Sequence, residues 1–420
     1  MAEDNEQRSS GSMKYENQSE VVLSRVDGDL EIRNCTTLEP AEGNEIIVTG
    51  EVKIMGELEI LGSLKAGSLY ARTRETILVE GDLIVERSAR VEKGALEVRG
   101  SATGRDFRAD SSLSIGKNLD CTSASGGGSV KVEGNAKAER INGGGSVKIG
   151  GDAEVSEIRA GGSAKVVGTV LADEIKVGGS VKVNKGKIGV VNVGGSFKAE
   201  GAVEVDEIDV GGSAVVGPGS IVHSVDVGGS FKSTGEVQFD KIDVGGAVKL
   251  GGSSSGKIID VGGSVLVEGD LEMEDDLDVG GKVTVEGNLK CLKKIKVGGT
   301  LIVEGRIDTY RVIVGGRVEA KYVKADGFRL GGRGEVTGPV ESREILVRER
   351  ARTESLYGEE IRIEERSRVK DVYGKDIYIE RGSIVEGNVV YTDTLELEER
   401  VEVRGETKKV DELPPAEDVL

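Results

Sequence analysis

The sequence predicts an all-β fold: a single-stranded, right-handed parallel β-helix solenoid of about 17 residues per coil and 20 or more coils. Three observations predict it. Glycine pairs begin at thirteen positions between Gly127 and Gly331, at successive intervals of 16 to 18 residues. Around each pair the residues alternate apolar and polar, as in Ile175-Lys176-Val177-Gly178-Gly179-Ser180-Val181-Lys182-Val183. That period of two belongs to strands with one buried face. Composition is the third. Among 420 residues there are 64 Gly, 13 aromatics and no Trp, so a ring-lined enzyme pocket has little to build with.

Each element of the repeat has a reason. Apolar-polar-apolar segments flank the glycine pair, and a further glycine often follows about five residues later, at Gly134, Gly168, Gly201, Gly235 and Gly269. One coil therefore reads as three short strands and three corners. The corner pairs, such as Gly178-Gly179, Gly211-Gly212, Gly228-Gly229 and Gly262-Gly263, are expected to accept positive φ and to let coils stack closely. Glycine at this density opposes helix, at a cost of roughly 1 kcal/mol per residue. Ladders of Val, Ile and Leu fill the channel, while Lys, Glu, Asp and Ser face outward. A left-handed hexapeptide helix needs coils of about 18 residues, and parallel crossovers favour the right hand.

The period divides the chain. Residues 1–20 form a polar, disordered tail, 21–404 the β-helix and 405–420 a second disordered tail with Pro414-Pro415. Within the helix, 21–125 are irregular coils, 126–332 the Gly-Gly repeats and 333–404 charged coils. In the last zone the apolar triplets Ile345-Leu346-Val347, Ile361-Arg362-Ile363 and Ile377-Tyr378-Ile379 keep the period.

Several functions are disfavoured. A net charge of −19 repels nucleic acid and anionic lipid. Residues 341–381 hold 10 basic and 11 acidic side chains, a mixed surface and no nucleic-acid stripe. The three cysteines, Cys35, Cys121 and Cys291, show no CxxC and fit a reducing, cytoplasmic setting. No segment is long and apolar enough to span a membrane, and the polar start lacks a signal-peptide core. No glycine pair precedes a helix, so phosphate cradling is discounted. His223 is the sole histidine and reads as a surface or corner residue. Glu274-Asp275-Asp276 reads as a solvated turn, without a calcium-loop pattern. No catalytic, cofactor or metal residues are assigned.

The segments Glu359-Glu360-Ile361-Arg362-Ile363-Glu364, Val369-Lys370-Asp371-Val372-Tyr373-Gly374 and Ile384-Val385-Glu386-Gly387-Asn388-Val389 resemble the bactofilins, polymer-forming cytoskeletal proteins. The turns Val267-Glu268-Gly269-Asp270-Leu271 and Val285-Glu286-Gly287-Asn288-Leu289 are similar to the same family. As a repeat style the resemblance covers most of the chain and is best at 340–404. It implies a right-handed β-helix that polymerises end to end without nucleotide, often at a membrane. This chain is longer than a usual bactofilin domain, and its doubled glycines are unusual.

Physics supplies a separate motive for assembly. A β-helix ends in unpaired strand edges. The terminal coils are expected to carry self-association through Ile46 and Val48 at one end and Leu395, Leu397, Val401 and Val403 at the other. The expected function is a non-enzymatic cytoskeletal scaffold whose partner is itself. A monomeric rod-like spacer is the alternative. A carbohydrate-active β-helix ranks third, because export signal, long loops and aromatic sugar platforms are missing from the sequence.

Overall fold

The computed structural model describes residues 11–420. The chain divides into two compact units, Met1–Gly211 and Gly212–Leu420. Each unit is a solenoid of parallel strands, with about 17 residues per coil and about 23 turns over the two. The one α-helix among the described residues is the turn Ala416–Val419.

Residues 146–162 illustrate a coil of the first unit. The strand Ser146–Ile149 pairs in parallel with Ser129–Val132 before it and Ser163–Val166 after it. The strand Ala153–Ala160 follows and then Gly161-Gly162. Alternation sends Val147, Ile149, Ala153, Val155, Ile158 and Ala160 inward, all buried. The intervening Lys148, Glu154 and Arg159 are exposed. Stacking turns each inward position into a ladder, such as Ala124, Ile141, Ile158, Ile175, Val191 and Ile208. In the second unit Val225, Ile242, Ile259, Leu277, Ile295 and Val312 do the same. Burying one such side chain contributes about 1.5–3 kcal/mol.

Three details depart from the expected repeat. Where the alternation reads as three short strands, the second and third merge into one bent strand. In Ala136–Gly143 the runs 136–138 and 140–143 pair separately, and Glu139 turns the corner between them. The corner with the later glycine is held by a side-chain ladder. Asn118 Oδ1 accepts the N–H of Asn135 at 2.9 Å, Asn135 Oδ1 that of Asp152 at 2.8 Å, and Asp152 Oδ1 that of Thr169 at 2.6 Å. Asp270, Asn288 and Arg306 repeat the device in the second unit. A short side-chain carbonyl replaces a ladder acceptor where the backbone turns away.

The glycine pairs are the third. None of those whose surroundings are described has a positive φ. Their glycine is required by close approach alone. A Cβ on Gly211 would lie 2.5 Å from the carbonyl oxygen of Gly194, and one on Gly262 would lie 2.6 Å from that of Gly245. Left-handed residues occur elsewhere: at Asn34, Lys93 and Gly219 in the earlier zones, and in the charged zone on arginine, at Arg333, Arg350, Arg366 and Arg400, with φ from 56° to 61°. Gly382 takes the equivalent place between Arg366 and Arg400 at φ 70°. An L-residue there carries strain of roughly 1–2 kcal/mol, partly offset by the lower chain entropy of a non-glycine. Arg366→Gly should therefore raise unfolding free energy by about 0.5–1 kcal/mol, read by denaturant titration. A destabilised variant would show that the arginine side chain contributes more than its backbone costs.

All five phenylalanines sit at buried inward positions. Phe239 is accommodated by Gly256, its partner in the next coil, where a Cβ would strike the ring. Both tails differ from the unstructured stretches expected. Met13–Glu16 is a strand on Leu30–Arg33, and Thr407–Lys409 is a strand on Val389–Tyr391. Residues 1–10 of the expected N-terminal tail lie outside the described residues.

Candidate assembly site

The last coil of the second unit is built from Val389–Leu397, Glu402–Val403 and Thr407–Lys409. Its inward positions continue the core ladders, since Leu395 follows Ile377, Leu397 follows Ile379 and Val403 follows Val385. Their predecessors are at most 2% exposed. Leu397 is 43% exposed, and Leu395, Val401 and Val403 are only half-buried. The cause is positional. On its far side the strand Val389–Leu397 is paired only through Val389–Tyr391, and Glu402–Val403 is paired only to the coil before it. The backbone of 394–397 and 402–403 thus presents an open edge beside open apolar core. All four C-terminal residues singled out from sequence meet on this one surface.

The remaining side of the end is blunted. There Thr407–Lys409 is polar and exposed, with Lys409 Nζ donating to the carbonyl of Asp393 at 3.1 Å and lying 5.8 Å from the Tyr391 ring. Lysine on an edge strand discourages further pairing. The rim is slightly acidic, with Glu396, Glu398, Glu399, Glu402 and Glu406 against Arg400, Arg404, Lys408 and Lys409. The Glu398 carboxyl is held below its ordinary value by the Tyr378 hydroxyl first and by the Arg381 backbone N–H second.

The N-terminal edge does not lie at Ile46 and Val48, where the sequence predicts it. Ile46 and Val48 lie in an interior coil, 0% and 1% exposed, with Val48 between Val26 and Ala66. The first coil instead opens with Met13-Lys14-Tyr15-Glu16, where Met13 and Tyr15 stack on Leu30 and Ile32 and are half-buried. The signal was present: this apolar-polar alternation sits one 17-residue period before Leu30-Glu31-Ile32-Arg33.

Other candidates resolve into surface ladders. His223 Nδ1 lies 2.7 Å from Asp240 Oδ2, and Lys257 Nζ lies 2.6 Å from Asp240 Oδ1. The hydrogen bond from Lys257, and after it that with His223, keeps the Asp240 carboxyl below its ordinary value. All three side chains are well exposed. His223→Ala should change stability by no more than about 0.5 kcal/mol in a denaturant melt, as for an ordinary surface site. Asp275 and Asp276 are neutralised by Lys293 and Lys294 of the next coil, at 2.5 and 3.2 Å. Among the described residues no group of three His, Cys, Asp or Glu could hold a metal. The three cysteines are free and buried. Burial, with Asp120 and Asp106 adding to it, pushes the Cys121 thiol up to about 12, which suppresses its thiolate. Among the described residues no helix is long and apolar enough to cross a membrane.

Residues 260–357 match the family model of the bactofilins, described as polymer-forming cytoskeletal. The match takes in the turns at 267–271 and 285–289 and ends at Tyr357. It thus lies mostly upstream of 340–404, where the sequence shows its best resemblance. No curated protein and no solved structure matches the chain.

Proposed function

Because residues 260–357 are bactofilin-like and that family is polymer-forming and cytoskeletal, we propose that this chain is a non-enzymatic cytoskeletal scaffold whose copies associate through coil ends, without nucleotide. The observation that carries the reading is the uncovered core at Leu395, Leu397, Val401 and Val403, beside unpaired strand edges. A second copy stacked there would bury those side chains and satisfy the edge. Each hydrogen bond gained contributes about 0.5–1.5 kcal/mol net, against an association cost of roughly 4–15 kcal/mol. The acidic rim and the net charge of −19 oppose contact, so assembly should strengthen with salt.

The test is light scattering and negative-stain microscopy of the purified chain over a concentration series at low and high salt. Growth of end-joined particles with both variables supports the proposal. A chain that stays monomeric at high concentration and high salt is a spacer.

A further inference from the structure

Six of the eight tyrosines fall between residues 310 and 391. Those at outward positions include Tyr322, Tyr357 and Tyr373, whose inward neighbours Val323, Leu356 and Val372 fill the core. Tyr357 and Tyr373 stack in adjacent coils with ring centroids 6.4 Å apart. Most outward positions of the solenoid are exposed, yet Tyr373 is only 9% exposed and Tyr357 is half-buried.

Residues 411–413 return to this face, and Glu417 lies near Tyr322. Leu413 lines one cavity with Tyr357 and Lys375. Burial chiefly, with the charges of Glu341 and Glu412 adding to it, raises the Tyr357 hydroxyl above its ordinary value. Tyr322 is likewise raised, by burial first, then by its bond to Glu341, and more weakly by Glu417. So the segment leaves the last coil and doubles back across earlier ones.

Its attachment is light. The Val410 N–H bonds the Tyr391 carbonyl at 2.9 Å, and beyond it the backbone hydrogen bonds described are internal, Asp418 to Pro415 and Leu420 to Ala416. Pro414 and Pro415 have no N–H to give. Contact rests on Leu413, with Asp411 and Glu412 in the same cavity as Arg343 and Lys375 and Glu417 near Tyr322, while Pro414, Ala416, Val419 and Leu420 are half-buried. A segment held this way opens at far lower cost than the coils beneath it.

We propose that the outward tyrosine face of the C-terminal coils is a docking surface for the segment 411–420, and that it accepts this segment from a second copy in place of its own. Exchange replaces each intrachain contact by the same contact between chains, the usual economy of a swapped element. The tether keeps the resident segment at an effective concentration of about a millimolar, so exchange needs crowded copies. The inference goes beyond end stacking and does not depend on it.

The experiment uses a fluorescein-labelled peptide of residues 411–420 and anisotropy, with the chain ended at Val410 as receptor. Saturable sub-millimolar binding is expected, at least tenfold weaker to the full chain and at least tenfold weaker after Tyr357→Ala and Tyr373→Ala in the shortened one. Binding to neither receptor, equal binding to both, or indifference to the tyrosines overturns the proposal. If the shortened chain fails to fold, the full chain with Leu413→Asp and Val419→Asp serves as receptor with the same expectations. Repeating the titration with Leu397→Lys and Val403→Lys separates this surface from the coil end, because peptide binding should persist when end stacking is lost.

Discussion

Alanine at Gly211 should lower the stability of the solenoid by about 2–4 kcal/mol, above the usual range for overpacking, because backbone and not a side chain must yield. The added Cβ would sit 2.5 Å from the carbonyl oxygen of Gly194, which is itself fixed by its own coil. Gly262→Ala should behave alike, with Gly245 as the obstacle at 2.6 Å. Valine at either place should be worse. The control is Gly201→Ala, where the nearest atom would be 3.5 Å away and the effect should stay within about 0.5 kcal/mol. Thermal and denaturant melts read all of these. Equal losses at Gly201 and Gly211 would mean that glycine serves chain flexibility here and not the spacing of coils.

The largest effect on assembly is expected from Leu397→Lys combined with Val403→Lys. Both side chains lie on the open end of the core, and Leu397 is already 43% exposed, so neither lysine needs to be buried in the isolated chain. In a stacked pair both would be buried, and an unpaired buried charge costs several kcal/mol. End-joined particles should vanish from micrographs and from light scattering, while circular dichroism and melting change by less than about 1 kcal/mol. Filaments that survive the double substitution would exclude the C-terminal coil as the contact. The same substitutions at Ile46 and Val48 would only unfold interior coils, so they give no information about assembly.

Much of this was legible in the sequence, because a stacked coil repeats its physics. Period, inward residues and C-terminal edge all follow from apolar alternation at a fixed interval. What escaped depends on the neighbour above or below, which a linear reading does not display. The glycine pairs look like turns that need positive φ, and only the facing carbonyl of the previous coil shows why they are glycine. The Asn118, Asn135 and Asp152 ladder is invisible until those side chains are stacked. Arg350 and Arg366 at left-handed corners run against intrinsic preference, so no propensity argument finds them. The tyrosine face is hidden for a further reason: alternation marks Tyr357 as outward and says nothing of Asp411, Glu412 and Leu413 returning to share a cavity with it.

The near-identity of successive coils also bears on how such a chain can change over generations. Ser146-Val147-Lys148-Ile149 and Ser180-Val181-Lys182-Val183 present almost the same residues to the coil lying between them. Excision of residues 163–179 would join Gly161-Gly162 to Ser180, set Val147 beneath Val181 and leave every ladder in register. Coil-to-coil contact is nearest-neighbour only, so stability would fall by one increment without collapse. Loss of a single residue inside a strand is far more damaging, since it turns that strand inside out, whereas corners absorb the variation between 16 and 18 residues. Whole-repeat duplication or deletion is therefore the tolerated currency of variation, and selection can tune coil number within a unit as a ruler is cut, without redesigning its cross-section.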